Sequence, residues 1–273
     1  MANIPLLGIL QGRLTPSPDG SIQFFPEDWQ AEFPVAKKIG FDCVELLVKA
    51  KKYKKSPLWY YGGISELSWL SGGNRLYLPS VHGFYEKSDG YPMVLGSIIN
   101  SAHKIGASVV LVSFFKENTL KTLEDKQSAR TLLKRVLSIC KNTGVQIGIE
   151  SEMPASELLD FVSSFNDPHI GVYYDIGNMA SVGVDVPGEI SLLGSHIVGV
   201  HVKDRMPNGG ETVPLGMGCA DIFGAFKALE RVDYVRPFII QGARSENKDD
   251  VVLNQTYFEL CKYWLTSVYG GTE

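Results

Sequence analysis

Four residues far apart in the chain share one local setting. Glu150, Asp175, His201 and Gln241 each stand at the C-terminal end of a short apolar run, in "VQIGIE", "IGVYYD", "IVGVH" and "PFIIQ". Two carboxylates, an imidazole and an amide oxygen make a hard oxygen and nitrogen donor set. Such a set suits one divalent ion, Mn2+, Zn2+ or Mg2+, with coordination positions left for substrate oxygens. A lone carboxylate such as Asp175 is costly to bury at the tip of a core strand, and a shared cation compensates it. The competing reading is ordinary polarity, because a carboxylate after a strand often caps the next helix and a single His there is often just a satisfied polar group. Taken singly the four residues do not decide, but their recurrence at successive strand ends favours a common site.

The runs that carry them belong to a longer series. "LLGIL" (6–10), "CVELL" (43–47), "LYLPSVH" (76–82), "SVVLVSF" (108–114), "VQIGIE" (145–150), "IGVYYD" (170–175), "IVGVH" (197–201) and "PFIIQ" (237–241) make eight candidate strands. Glu45, His82 and Ser113 join the four residues above as polar groups at strand ends. Between the runs lie helical spacings. Ala129, Leu132, Leu133, Val136, Leu137 and Cys140 follow one helix face opened by Thr122 and closed by Gly144, and Tyr257, Phe258, Cys261, Trp264, Leu265 and Val268 follow another. A third, after Pro92, carries Val94, Ile98, Ala102 and Ile105 and stops at Gly106. Pro34 should kink the helix near Trp29 and Phe33 or move its start. Strands alternating with helices, with no linker or composition shift, predict an α/β protein whose single domain, residues 1–273, is a (β/α)8 TIM barrel. A doubly wound sheet is the rival. The barrel explains the polar strand ends better, because all of them converge on one mouth.

Bulk properties narrow the function. A formal net charge of −4 gives no overall attraction to nucleic acid or an anionic membrane, so a small-molecule partner is expected. The 4 cysteines have no metal-ligand spacing and read as reduced thiols. The start "MANIPLLGILQGRL" lacks the features of a signal peptide, and no run approaches a membrane span, which points to a cytoplasmic protein.

The segments "GIESEM" (148–153), "YYDIGN" (173–178), "HVKD" (201–204) and "VPLGMGCADIFGAFKAL" (213–229) resemble the xylose isomerase-like TIM barrel superfamily. Within it they are most similar to sugar-phosphate isomerases and epimerases of the L-ribulose-5-phosphate 3-epimerase and hexulose-6-phosphate isomerase type. The opening "GILQGRLTP" resembles the start of the same broad group. The resemblance implies one divalent metal held by Glu, Asp, His and Glu from strands five to eight, here Glu150, Asp175, His201 and the position of Gln241. That last position departs from the pattern. Gln241 offers an oxygen to a metal but cannot accept and return a proton.

The implied chemistry is proton abstraction next to a carbonyl through an enediolate. Epimerisation commonly needs a proton-carrying group on each face of the intermediate, whereas aldose–ketose isomerisation manages with one. With Gln241 in place, the expectation leans toward isomerisation with Glu150 as the base, while Glu45, His82 or Lys203 could restore a second acid-base group. Glu45, His82, Lys203 and Arg205 are the candidates for substrate contact. Two alternatives stay open: an inosose dehydratase-like lyase, or a metal- or sugar-binding barrel impaired by Gln241. The partner expected is a carbohydrate, with or without a phosphate, and a homo-oligomer is left open. With 5 histidines in all and an acidic balance, the multi-metal DNA-repair branch of the superfamily is disfavoured.

Secondary features are double-edged. The lysines of "KAKKYKKSP" (49–57) read as a solvated loop before an anion-attracting rim. "PLGMGCAD" (214–221) leads into a helix where barrels often bind phosphate, but Asp221 would compete as the cap. Trp59, Tyr60, Tyr61, Phe84, Tyr85, Phe114 and Phe115 are placed to cover the mouth or to face a sugar ring. His103, His169 and His196 lie away from it and read as structural.

Overall fold

A computed structural model describes residues 4–49, 55–84, 91–115 and 118–271. Eight parallel strands close into a barrel: β1 (Leu7–Leu10), β2 (Cys43–Lys49), β3 (Ser80–Phe84), β4 (Val109–Phe114), β5 (Gln146–Ser151), β6 (Ile170–Asp175), β7 (Ile197–Val202) and β10 (Phe238–Ile240). The pairing Leu7↔Phe238, Gly8↔Ile239 and Ile9↔Ile240 joins the last strand to the first, which rules out the open doubly wound sheet. Helices α1 (Glu32–Ile39), α2 (Gly63–Asn74), α3 (Tyr91–Lys104), α4 (Leu123–Thr143), α5 (Ala155–Ser163), α6 (Ile176–Ser181), α7 (Val186–Leu193), α8 (Ile222–Arg231) and α9 (Asp250–Tyr269) connect and surround the strands.

Local chemistry sets these boundaries. At α4 the Thr122 side chain accepts from the Asp125 N–H while Asp125 reaches back to the Thr122 N–H, and Gly144 ends the helix at φ 75°, a conformation that favours glycine. Pro34 falls in the first turn of α1, where its missing N–H costs nothing, so the helix starts late instead of kinking. The third strand begins at Ser80, later than its sequence pattern suggests. Pro79 has no N–H for a ladder, and Tyr77 before it makes only an isolated bridge to Cys43. Two elements had no clear pattern: the pair α6 and α7 between β6 and β7, and a short antiparallel hairpin of β8 (Asp204–Arg205) and β9 (Thr212–Val213) after β7.

The barrel interior prepares the site. Val109, Leu111, Tyr173 and Val198 form an apolar cluster inside the strands. Gly199 makes room for the Tyr173 ring, since a Cβ there would stand 2.3 Å from a ring carbon. The ring can therefore cross the barrel and bring its hydroxyl to the β2 side. The four cysteines are free and three of them are buried, as reduced thiols would be. No helix among the described residues is long and apolar enough to cross a membrane.

Candidate metal centre at the barrel mouth

Inward-facing residues alternate along each strand, so each strand contributes a column of side chains to the interior. On β6 the column is Tyr173 then Asp175, on β3 Ser80 then His82, and β7 supplies His201 with Lys203 just beyond it. These columns place Glu45, His82, Ser113, Glu150, Asp175, His201, Lys203 and Gln241 together, each at most 8% exposed.

Three of these side chains aim donor atoms at one point. His201 Nδ1 lies 3.9 Å from Glu150 Oε1 and 3.9 Å from Asp175 Oδ2. Both His201 Nδ1 and Asp175 Oδ2 are buried with no hydrogen-bond partner. A buried carboxylate oxygen and imidazole nitrogen without hydrogen bonds are costly, and an ion between them would satisfy both. The other atoms of these groups are held firmly. Asp175 Oδ1 caps α6 through the Asn178 N–H at 2.8 Å, and Glu150 Oε2 accepts from Ser113 Oγ at 2.8 Å. Helix capping thus uses one oxygen of Asp175 and leaves the other facing His201.

Gln241 stands apart from this trio. Its Oε1 accepts from Lys203 Nζ at 3.1 Å, and Lys203 Nζ also lies 3.5 Å from Asp175 Oδ2. As a fourth ligand it would first have to give up the lysine.

Glu45 and His82, candidates for substrate contact, lie beneath the mouth with 0% exposure. Glu45 Oε1 is 2.7 Å from His201 Nε2, and its Oε2 accepts from Ser80 Oγ and Tyr173 Oη, each at 2.5 Å. A carboxylate on Nε2 fixes which nitrogen carries the proton and leaves Nδ1 free to face an ion. His82 stacks on His201, with ring centroids 5.1 Å apart, and its Nε2 is 3.3 Å from Ser113 Oγ.

Arg205 is also committed inside the protein. Its guanidinium donates to the Gly210 and Gly209 carbonyls of the hairpin and, at 3.0 Å, to Asn178 Oδ1. That contact turns the Asn178 amide so that Nδ2 faces Glu150 Oε1 at 3.3 Å. Gly177 permits the approach of α6 to the end of β7, since a Cβ there would meet the Lys203 carbonyl carbon at 2.7 Å.

The electrostatics follow from burial and pairing. Burial pushes the Glu45 carboxyl up, but the charge and hydrogen bond of His201, with His82 behind, hold it well below the ordinary carboxylate range. Burial likewise raises Glu150, and the proximity of His201 with the charges of His82 and Lys203 outweighs it, so this group too is kept ionised. Burial lowers His201, yet the Glu45 charge and then Glu150 raise it to about 9.

The other expectations resolve locally. The N–H groups of Gly216, Gly218 and Ala220 donate to the buried Asp204 carboxylate, and Asp221 caps α8 on the Gly224 N–H, so the glycine loop spends these donors on the protein itself. Lys55 pairs with Glu27 at 2.8 Å, while the neighbouring lysines 51, 52 and 54, and Tyr85, lie outside the described residues. Phe114 is buried, Phe115 and Trp59 are half-buried, and Tyr60 and Tyr61 are exposed. His169 contacts Asp167, and His196 the Leu193 carbonyl, both away from the mouth. Sequence reasoning missed Asn178, Tyr173 and Asp204. The first two were detectable, Asn178 by its position three residues after a capping Asp and Tyr173 by its alternation with Asp175.

The profile of the xylose isomerase-like TIM barrel family matches residues 33–253. The chain belongs to that family. It is 26% identical over 237 residues to an L-ribulose-5-phosphate 3-epimerase, UlaE, of Escherichia coli, covering 79% of this chain and 82% of the relative, and a Shigella flexneri counterpart matches at 25%. Among solved structures, an L-ribulose 3-epimerase superposes with a TM-score of 0.77 at 16% identity, covering 97% of this chain and 95% of that one. The IOLI protein with a bound zinc atom gives 0.76 at 14%, covering 97% and 100%. A xylose isomerase domain protein from Planctomyces limnophilus gives 0.74 at 14%, covering 98% and 100%.

Proposed function

We propose that this family member is a divalent-metal-dependent sugar or sugar-phosphate isomerase or epimerase that acts by moving a proton next to a carbonyl. The observation that carries the reading is the pair of buried atoms without a hydrogen bond, Asp175 Oδ2 and His201 Nδ1, facing Glu150 Oε1 at the mouth. The epimerase relatives and the zinc-bearing structural neighbour support it.

The residues present fit a cation. Glu150, Asp175 and His201 would hold it, and Gln241 would join only by releasing Lys203. When bound, the ion polarises the substrate's carbonyl and hydroxyl oxygens and stabilises negative charge as it develops on them. Glu150 is the base. Ser113 on one oxygen and Asn178 on the other fix its plane, and its ionised state at neutral pH leaves it able to accept a proton from carbon. Glu45 keeps the His201 ring in register.

Isomerisation with one base accords with Gln241, because an amide cannot take up and return a proton. Lys203, 3.1 Å from that amide, is an ionisable group on this side of the site and supports epimerisation as the second reading. Metal analysis followed by deuterium wash-in from heavy water into ketoses and their phosphates tests the proposal. Exchange that is lost in Glu150→Gln while the metal is retained is the expected result. Exchange at the original rate in that variant removes Glu150 as the base.

A further inference from the structure

A cleft of about 210 Å3 opens at the end of β5, between Thr119 and Lys121 of the segment that leads into α4 and Ser151, Glu152 and Glu157 at the start of α5. A single water needs about 10 to 15 Å3, so this space suits a ring-sized organic group and not a lone ion or water. Ser151 follows Glu150 by one strand step, about 3.3 Å. Ser151 and Met153 also line the small cavity against Glu150, Asp175 and Asn178, so the cleft and the metal centre share a wall. The lining is mixed. Leu120 and Met153 are buried and offer apolar surface, whereas Glu152, Glu157 and Lys121 are exposed. Ser151 Oγ accepts from the Met153 N–H, so its own hydrogen points elsewhere, and Glu157 is held in place by Lys126 at 2.8 Å. Hydroxyls and carboxylates side by side match sugar hydroxyls, each of which donates and accepts, and the apolar side chains suit the C–H face of a ring. Charge does not favour an anion, because the carboxylates of Glu152 and Glu157 balance the ammoniums of Lys121 and Lys126.

We propose that this cleft is a subsite for an uncharged glycosyl unit, so that the molecule handled at the metal centre is a ketose carrying a second sugar ring. The inference rests on the metal-centre reading for the reacting end of that molecule; the glycosyl end is held by the cleft without help from the ion. Its signature is a gain in affinity from the second ring that runs through Thr119 and Glu152, two residues away from the proton-transfer machinery.

The test is calorimetric titration of the full chain, saturated with Mn2+, with fructose, fructose 6-phosphate and three disaccharide ketoses of different linkage, maltulose, isomaltulose and lactulose. At least one disaccharide is expected to bind about tenfold or more tightly than fructose, the scale of one or two net hydrogen bonds. Thr119→Trp, which fills the cleft, and Glu152→Ala, which removes an exposed acceptor, should each erase most of that gain and leave fructose binding unchanged. If Thr119→Trp does not fold, Glu152→Ala carries the comparison alone. Three disaccharides that bind no better than fructose, or a gain that survives in the folded variants, overturn the inference. A gain for fructose 6-phosphate that the variants remove, with none for the disaccharides, makes the cleft an anion site and overturns it too. Mn2+ that binds without any cleft-dependent gain sinks this inference and spares the metal centre. Failure of Mn2+ to bind sinks the metal-centre reading, and the cleft is then judged by methyl glucoside, which needs no ion: saturation-transfer NMR contact that is lost in the variants upholds the subsite, and absence of contact in wild type removes it.

Discussion

Replacing Glu45 by Gln keeps the shape of a fully buried side chain and removes its charge. In the metal-free protein His201 has its pKa raised to about 9, chiefly by the Glu45 charge once burial has been overcome. A folded-state value above the ordinary His value of about 6.5 means that the protonated ring stabilises the fold. That contribution is present in full below about pH 6.5 and is lost as pH rises through 9. At pH 7 it is on the order of 2 to 3 kcal/mol, from a rise of roughly two pKa units. Glu45→Gln should therefore remove a large part of that contribution, on the order of 1 to 2 kcal/mol at pH 7 because Glu150 still raises the ring, and should flatten the decline between about pH 6.5 and 7.5, below the range in which thiols of the unfolded chain ionise. Urea unfolding of the metal-free protein at several pH values reads both effects.

The metal arm of the same variant has a distinctive shape. An ion on His201 Nδ1 must displace a proton, so wild-type affinity should climb by up to about tenfold per pH unit from pH 7 toward 9. In Glu45→Gln the proton is held less tightly and that climb should largely disappear. At pH 9, where competition no longer matters, the variant should bind Mn2+ about 10- to 100-fold more weakly, because the ring has lost the partner that orients it. Toward pH 7 the gap should narrow. A variant whose Mn2+ affinity tracks wild type within about twofold across the whole series would refute the assignment of Glu45 as the group that orients His201.

Three further substitutions probe the supports of the mouth. Asn178→Ala removes the amide that links Arg205 to Glu150 but keeps the backbone N–H cap on Asp175. It should lower the rate of deuterium exchange into substrate about tenfold with little change in melting temperature. Gly199→Ala drives a methyl into the Tyr173 ring and should cost about 1 to 3 kcal/mol in urea unfolding, part of which returns when Tyr173→Leu is added. Asp204→Asn takes a charged acceptor from the Gly216, Gly218 and Ala220 N–H groups, with an expected cost of about 2 kcal/mol or more and faster proteolytic nicking within residues 214–221.

The barrel was readable because its signals are local. Apolar runs of strand length, a capping box at Thr122 and glycines that end helices need no knowledge of distant partners. The mouth was readable for a related reason: polar residues at strand ends stand out against Val, Ile and Leu, and the barrel topology brings them together. The roles inside that set depend on pairings across 27 to 156 positions, which no local pattern carries. Glu45 and Arg205 looked like substrate contacts because each is a charged residue near a strand end. Their partners within the chain, His201 for one and Asn178 with the hairpin for the other, come from distant positions that no local pattern shows. The hairpin itself is made of two-residue strands, too short for any periodicity to register.

A fully buried carboxylate such as Glu45 would ordinarily be a liability in a barrel core. Here it accepts hydrogen bonds from two hydroxyls on one oxygen and faces an imidazole on the other, so its charge is distributed instead of left exposed to apolar surroundings. The Tyr173 hydroxyl reaches it because β7 carries a glycine at 199, and the imidazole it orients is one of the donors at the mouth. A change at Gly199, on the wall of the barrel, thus reaches His201 by way of Tyr173, through the Tyr173 hydroxyl on Glu45 and through the ring itself, 4.6 Å from His201 between centroids. If the transmission runs through the hydroxyl, Tyr173→Phe should weaken Mn2+ binding measurably although it keeps the ring, whose centroid lies 4.6 Å from that of His201. Tyr173→Phe with unaltered Mn2+ affinity and an intact fold would mean that Ser80 alone suffices to hold Glu45 in place.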